Sequence, residues 1–415
     1  MIPRALRIGA AAGSAGAALG GAAYSVYLSA VGSAAEVSLR QRDEVAEPSG
    51  RIRFRLLIPA HNEEVLIKDT VAAVQDLDYP AELFEVHVVA DNCTDRTAEF
   101  ARAAGAQVHE RTAPEAPGKG PALRWLLDSL PHGGRDDVVI IIDADTIVDS
   151  ALLNAFAEKF EDGAVAVQGH YAVRDETAGG EVSLRSAAFA VRHLVRPAGR
   201  VRLGGSSSLY GNGMAFTEAI ARQFPWSAHL TEDLDMGLRL LLAGHRVDFA
   251  PDALVRGEMP ETLDTATSQH ERWEAGRRSV ATAYLPRLLG AARRKAHDRR
   301  WPYVDAAIDI SMPPFGSLVA GTAAGTLGLG MFARGAVRRY GVGAGVASLG
   351  MLGWHVVTSL RLAKAPPEVY RSLLRAPSNI LWKLGVVAGT LRDRPADWVR
   401  TSRNDEESRS VEAPA

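Results

Sequence analysis

Hydrophobic positions along this chain fall into three regimes. Residues 8–35 carry no charged side chain and are dominated by Ala, Gly and Ser. A membrane-spanning helix needs about 20 mostly apolar residues, so this stretch is long enough to cross with some tilt. Its small side chains suit close packing against a second helix. Arg4 and Arg7 before it, and Val31-Gly32-Ser33-Ala34-Ala35 at its end, also match a cleaved signal peptide. The apolar run exceeds the roughly 7–15 residues of a signal core, so an uncleaved anchor over 1–36 is expected. From residue 51 to about 255 the pattern changes to short Val- and Ile-rich runs between helical periodicities. Runs 54–58, 85–90, 138–142 and 164–168 read as buried strands. Val65, Ile67, Val71, Val74 and Leu77 recur at mostly helical spacing, and 94–104 and 121–130 are further helical stretches. Strand–helix alternation predicts an α/β fold with a mainly parallel sheet covered on both faces. Beyond it, segments 313–333 and 341–360 are each long enough to span, with Arg334, Arg338 and Arg339 between them. Segment 379–391 is short and carries Lys383. It reads as an interfacial amphipathic helix within 363–400, with Trp382 and Trp398 at headgroup level. The polar tail 401–415 is expected to be disordered.

The polar residues fall at the strand ends. Ile58 runs into Pro59-Ala60-His61-Asn62-Glu63-Glu64, Ala90 into Asp91-Asn92-Cys93-Thr94-Asp95, and Ile142 into Asp143-Ala144-Asp145. In an open parallel sheet the carboxyl ends of strands share one edge, where ligands bind. Capping of the following helix is a sufficient account of any one cluster. Three together would repel one another unless a cation or hydrogen-bond donors compensated them, and a ligand site is the better account of the set. Asp-x-Asp alone is a weak signal. At a strand end it fits Mg²⁺ or Mn²⁺, hard cations that take one or two carboxylates and complete their shell with substrate phosphate oxygens.

Composition narrows the classes. A net charge of −2 provides no basic excess for neutralising a nucleic acid. The one cysteine, Cys93, excludes an intramolecular disulfide framework. There is no Gly-x-x-x-x-Gly-Lys-Ser/Thr phosphate loop, which disfavours NTP hydrolysis. Gly118-Lys119-Gly120 is a small turn presenting one cation. Thr231-Glu232-Asp233 opens a helical stretch over 234–243, where an N-cap and two acids near the positive helix end explain it locally. Gln269, Arg272 and Trp273 share one helical face. That face is either a plain amphipathic surface or a planar cation, an indole and an amide offered to phosphate and sugar.

Taken in order, these clusters resemble family 2 inverting glycosyltransferases, in particular the cellulose-synthase-like and exopolysaccharide-synthase branch. The resemblance spans about residues 54–280 and rests on the ordered set. It implies a GT-A type nucleotide-binding domain over 51–290, followed by two transmembrane helices within 305–362, with a spanning helix at the N-terminal end as well. By resemblance, Pro59, Ala60, Glu63, Asp91, Lys119 and Asp143 would bind the nucleotide-sugar donor. Asp145, with Asp143, would hold Mg²⁺ or Mn²⁺, and Asp233 would be the general base. Gly211, Glu232, Gln269, Arg272 and Trp273 would line the diphosphate and acceptor site, with Gly211 in the Gly211-Asn212-Gly213 turn. The implied reaction moves a sugar, from a UDP-sugar by resemblance, to a saccharide or lipid-linked acceptor.

Arg40, Arg42, Arg51, Arg53 and Arg55, together with Arg293, Arg294, Lys295, Arg299 and Arg300, favour a cytoplasmic middle region at the cell membrane; the three arginines between the later segments oppose that orientation. Two alternatives in kind remain open: a non-catalytic relative that binds nucleotide-sugar or glycan, and a nucleotidyltransferase. Polyprenyl-phosphate sugar transferases share the early clusters but generally lack Gln-x-x-Arg-Trp. Two later spans are fewer than processive synthases of the branch usually have, so chain export is not implied.

Overall fold

The computed structural model describes residues 4–41, 52–134, 137–227, 231–259, 263–296 and 299–392. Helix α1 (Arg4–Arg40) leads to an α/β domain. Its first half alternates β1 (Phe54–Ala60), α2 (Ile67–Gln75), β2 (Phe84–Asp91), α3 (Thr97–Ala103), β3 (Gln107–Arg111), α4 (Lys119–Ser129) and β4 (Val138–Ile141). The second half contains β5 (Thr146–Val148), α5 (Leu152–Glu161), β6 (Ala166–Val173) and α6 (Gly180–Phe189). A π-helical turn over Ala190–Val195 runs into α7 (Arg196–Arg202). Then come β7 (Met214–Thr217), α8 (Glu218–Gln223), α9 (Glu232–Ala243) and β8 (Asp248–Gly257). Helices α10 (Leu263–Arg294), α11 (Trp301–Ser311), α12 (Phe315–Phe332), α13 (Gly335–Leu362), α14 (Pro367–Ser372) and α15 (Ala376–Arg392) follow.

The eight strands form one sheet in the order β3-β2-β1-β4-β7-β6-β8-β5. Strands β3, β2, β1 and β4 are parallel. The other half departs from the mainly parallel sheet expected: β7 is antiparallel to both β4 and β6, and β5 to β8, while β6 and β8 are parallel. The sheet is mixed because β7 starts beside the end of β4, Met214 opposite Ile141, and runs back along it. An antiparallel neighbour needs no helical crossover.

Successive side chains of a strand point to opposite faces, and β1 shows why both faces must be covered. Phe54, Leu56 and Ile58 pack with Val71 and Val74 of α2 and Phe156 of α5. Leu57 packs on the other face with Leu123 and Leu126 of α4 and Phe216. Each such side chain, fully buried, contributes about 1.5–3 kcal/mol relative to exposure.

Among the described residues, α12 and α13 are the two helices long and apolar enough to cross a membrane. Helix α1 has 37 residues but is not one of them, because Gly, Ala and Ser hold its apolarity down. Helices apolar enough to span therefore stand near the C-terminal end of the described residues. At the N-terminal end the structure displays a helix packed by glycines. A side chain at Gly21 would meet Thr322 of α12, and one at Gly325 would meet Ala18. Gly32 faces His355 of α13, and Gly199 of α7 lies against the Val31 carbonyl. Small residues allow this approach of helix backbones. A buried ion cluster adds to it. Arg200 donates to Asp305 at 2.9 Å and pairs with Asp309 at 3.0 Å, and the Tyr27 hydroxyl donates to Asp305 at 2.8 Å. Segment 379–391 falls in α15, which packs on α10 and α12. Trp398, the tail 401–415, Arg42 and Arg51 lie outside the described residues, as do the side chains of Lys383, Gln269 and Arg272.

Candidate active site

Parallel register brings the strand-end clusters together. Ala60 stands opposite Ala90, and Leu57 opposite Ile141, so β1, β2 and β4 release their polar segments along one edge. The first two segments are hydrogen-bonded to each other. His61 Nδ1 lies 2.7 Å from the Asp91 carbonyl, the Glu63 amide donates to Thr97 Oγ1 at 2.7 Å, and the Thr94 amide donates to Asn62 Oδ1 at 2.8 Å. Asn62 and Asn92 adopt φ of 55° and 52°, a left-handed conformation that Asn tolerates better than most residues. Pro59 and Ala60 close β1, and the Ala60 carbonyl accepts from Cys93 Sγ at 3.5 Å. Thr70 of α2 donates to the Ala144 carbonyl at 2.8 Å, which ties the third segment to the first.

Asp91 is buried and ion-paired with Arg111, the residue opposite it on β3. Lys119, the first residue of α4, pairs with Asp143 and donates to the Gly211 carbonyl at 2.6 Å. Burial pulls its ammonium down, but the carboxylates of Asp143, Glu232 and Asp233 outweigh that and its pKa is raised. Gly211 has a φ of 85°. A Cβ there would stand 3.5 Å from Asp233 Oδ2 and 3.8 Å from Lys119 Nζ. One cation thus joins the end of β4, the Gly211 turn and the start of α9.

Two residues whose role sequence reasoning missed hold that turn. Asn212, fully buried, accepts from the Asp143 amide at 3.1 Å and donates to Thr146 Oγ1 at 2.7 Å. Gln168, also fully buried, donates to the Asn212 carbonyl at 2.8 Å and accepts from the Tyr210 amide at 2.9 Å. Arg111 and Tyr171 were missed as well. Burial, with Asp143 and Asp145 beside it, pushes the Tyr171 phenol well above its ordinary pKa. Its ring stacks on His193 of the π-helical turn at 5.4 Å, and His193 lies 4.2 Å from Tyr210. A π turn inside a helix often marks a functional site and is the one sequence-independent signal here.

Glu232 and Asp233 open α9. Thr231 occupies the N-cap position, yet its hydroxyl makes no cap hydrogen bond, so the capping account of this segment fails in detail. The Leu234 amide donates to Asp233 Oδ1 at 2.7 Å, leaving Oδ2 on the side of Gly211. Burial raises the Asp233 pKa against the pull of the Leu234 amide and Lys119. Burial and the neighbouring Asp233 push Glu232 up to about 7. Gly276 of α10 lies against Thr231, where a Cβ would fall 2.5 Å from Cγ2, so α10 abuts the start of α9. Trp273 lies one turn earlier on α10. It meets His270 edge-on at 5.4 Å, and His270 meets Trp382 of α15 at 5.3 Å.

Among the described residues no group of three or more His, Cys, Asp or Glu side chains could hold a metal ion unaided. Asp143 and Asp145 form a two-carboxylate set at a strand end. That donor set fits a hard divalent cation whose remaining positions are filled by phosphate oxygens and water. The Lys119 ammonium already lies on Asp143, so this edge carries compensating positive charge from the chain itself.

A family model described as glycosyltransferase like family 2 matches residues 48–276. The chain is 27% identical over 251 residues to the probable glycosyltransferase YdaM of Bacillus subtilis (strain 168), covering 59% of each. It is 30% identical over 229 residues to the beta-monoglucosyldiacylglycerol synthase of Synechocystis sp., covering 53% of this chain and 47% of that protein. The chain therefore spans about half the length of the curated relatives it matches. Among solved structures, the mannosyltransferase PcManGT from Pyrobaculum calidifontis, in complex with GDP-Man and Mn²⁺, has the same fold. Its TM-score is 0.51 at 19% identity, covering 92% of this chain and 99% of that one.

Proposed function

This chain belongs to glycosyltransferase family 2, and on that premise we propose that it moves a sugar from a nucleotide-sugar to a saccharide or lipid-linked acceptor. The donor in this reading is a UDP-sugar, and the enzyme is membrane-bound, metal-dependent and inverting, of the cellulose-synthase-like branch. The observation that carries it is the Lys119 ammonium, shared by Asp143 and the Gly211 carbonyl with Asp233 Oδ2 facing the same turn. Phosphate-binding charge and a candidate base meet at one place.

Pro59, Ala60, Glu63, Asp91, Lys119 and Asp143 bind the donor nucleotide. Gly211, Glu232, Gln269, Arg272 and Trp273 line the diphosphate and acceptor positions. Asp145, with Asp143, would hold Mg²⁺ or Mn²⁺, which would supply charge compensation to a diphosphate. Asp233 Oδ2 takes the proton of the acceptor hydroxyl. The acceptor's hydroxyl oxygen bonds to the anomeric carbon as the carbon–oxygen bond to the diphosphate breaks, and the electron pair leaves with the nucleoside diphosphate. One in-line displacement inverts the centre. Lys119 stabilises the charge gathering on the leaving group, where preorganised electrostatics contribute most.

The name of the Synechocystis relative supports a lipid-linked acceptor. Helices α12 and α13 support membrane insertion, with α1 as a third, glycine-packed span and the α/β domain in the cytoplasm at the cell membrane. The test is a panel of nucleotide-sugars with the solubilised chain, reading the nucleoside diphosphate released. Asp233→Asn should lower transfer by about 10²–10⁴-fold with the melting temperature kept within a few degrees. Transfer at the parental rate removes Asp233 as the base. Release of pyrophosphate would mean a nucleotidyltransferase, and no turnover across the panel a binding protein.

A further inference from the structure

A cavity of about 530 Å³ lies away from this chemistry, between the C-terminal ends of α1 and α13. Its wall includes Glu36 and Arg40 of α1, and Trp354, Arg361, Leu362 and Lys364 at the end of α13. Arg40 is paired with Glu36 at 2.6 Å. Among the described residues Arg361 and Lys364 have no carboxylate partner. Among the described residues, three cations on this wall therefore face one carboxylate.

Lys364 stands just beyond α13 with φ of 53°. Its amide donates to the Arg361 carbonyl at 3.2 Å, and the Ala365 amide donates to the Leu360 carbonyl at 3.0 Å, closing the helix with a left-handed residue. Glycine is the usual occupant of such a position, because a Cβ is strained there. A lysine accepts that strain and puts a third cation on the cavity wall. The rest of the wall is Leu39, Leu362, Thr358 and Trp354, which is 43% exposed. Tryptophan favours the headgroup level of a bilayer, where its ring is half in the apolar phase.

We propose that this cavity binds the headgroup of an anionic membrane phospholipid, its phosphate against Arg361, Lys364 and Arg40 and its acyl chains along Trp354. Basic pockets between spanning helices suit this chemistry. The proposal rests on the reading that α12 and α13 cross the membrane, which puts the end of α13 at the interface on the domain side. A lipid rather than a soluble phosphate is the occupant because the cations are flanked by apolar wall at the end of an apolar helix.

The full chain in its native membranes is first extracted with alkaline carbonate. It is then solubilised and titrated by native mass spectrometry with phosphatidylglycerol, phosphatidylcholine of the same acyl chains, and inorganic phosphate. Retention through carbonate and tighter binding of phosphatidylglycerol than phosphatidylcholine are expected. Arg361→Gln and Lys364→Gln should each weaken phosphatidylglycerol by about fivefold and leave phosphatidylcholine unchanged. Lys364→Gly should weaken it equally while keeping or raising the melting temperature, since it relieves the strained φ; a merely structural lysine would show no loss of lipid. Release by carbonate overturns the spanning reading and this proposal with it. Retention with equal binding of the two lipids, or with variants that bind as the parent does, overturns the lipid site alone. Inorganic phosphate competing at millimolar concentration would assign the cavity to a soluble anion instead.

Discussion

Replacing Lys119 with Met removes the cation paired with Asp143 while keeping a side chain of similar length. Because a Cβ on Gly211 would stand 3.5 Å from Asp233 Oδ2 and 3.8 Å from Lys119 Nζ, the ammonium and that carboxylate lie within about 7 Å. At about 7 Å and an effective dielectric constant of about 20, a pair of unit charges interacts by about 2 kcal/mol. That is between one and two pH units on the Asp233 pKa. Asp233 must be ionised to accept a proton, so kcat/KM rises with pH as it loses its own. Without Lys119 its pKa climbs further, and the acid limb of the kcat/KM profile should move about one to two units toward alkaline pH. Melting temperature offers a readout that needs no turnover. Burial holds Glu232 and Asp233 above ordinary carboxylate values, so they favour the fold while protonated. That contribution is complete below the unfolded carboxylate pKa and is lost as pH rises, through about 7 for Glu232. Lys119→Met extends the loss to higher pH, so its melting temperature should fall further behind the parent's between pH 5 and 8. An acid limb superimposable on the parental one, with parallel melting curves, refutes the coupling of Lys119 to this carboxylate pair.

Stripping divalent cations should lower transfer, and Mn²⁺ should restore it. Asp145→Asn should raise the Mn²⁺ concentration needed by at least about tenfold, read by calorimetric titration, and unchanged affinity would unseat Asp145 as a ligand. Gln168→Leu leaves the Tyr210 amide without its partner, at a cost of about 1–3 kcal/mol, so the melting temperature should drop and acceptor KM rise. Unaltered melting would show that the turn does not depend on it. Gly199→Leu forces a side chain into the Val31 carbonyl and should cost about 1–3 kcal/mol or more by prising α1 from α7, with Gly199→Ala intermediate. A Leu variant as heat-stable as the parent would mean that α1 is not fastened there.

Strands β1, β2 and β4 were legible because their centres are buried on both faces and are rich in Val, Leu and Ile. Strands β5 and β7, of three and four residues, are too short to show a period. Strand β8 is interrupted by Pro251 and Asp252 where its pairing with β6 slips between Gly169 and His170, so neither strand template fits it. Hence β1, β2 and β4 could be read, and β6 in part through the run 164–168, while β3, β5, β7 and β8 could not. The polar clusters at strand ends were legible for the same reason: an apolar run that stops at Asp91 or Asp143 announces a strand leaving the core.

What the sequence by itself determined was the local chemistry and its order: which segments are apolar enough to be buried, and that carboxylates follow three of them. Only the tertiary structure decided which charges answer one another. Arg111 neutralises Asp91 because parallel register sets β3 beside β2, and Lys119 reaches Asp143 and Gly211 because α4 begins at the sheet edge. Gln168 looks like an ordinary polar residue until the loop of Tyr210 and Asn212, 42 and 44 positions away along the chain, folds onto it. Burial depends on the side chain and its neighbours in sequence, which periodicity records. Compensation of a buried charge depends on distance in space, which no local pattern carries.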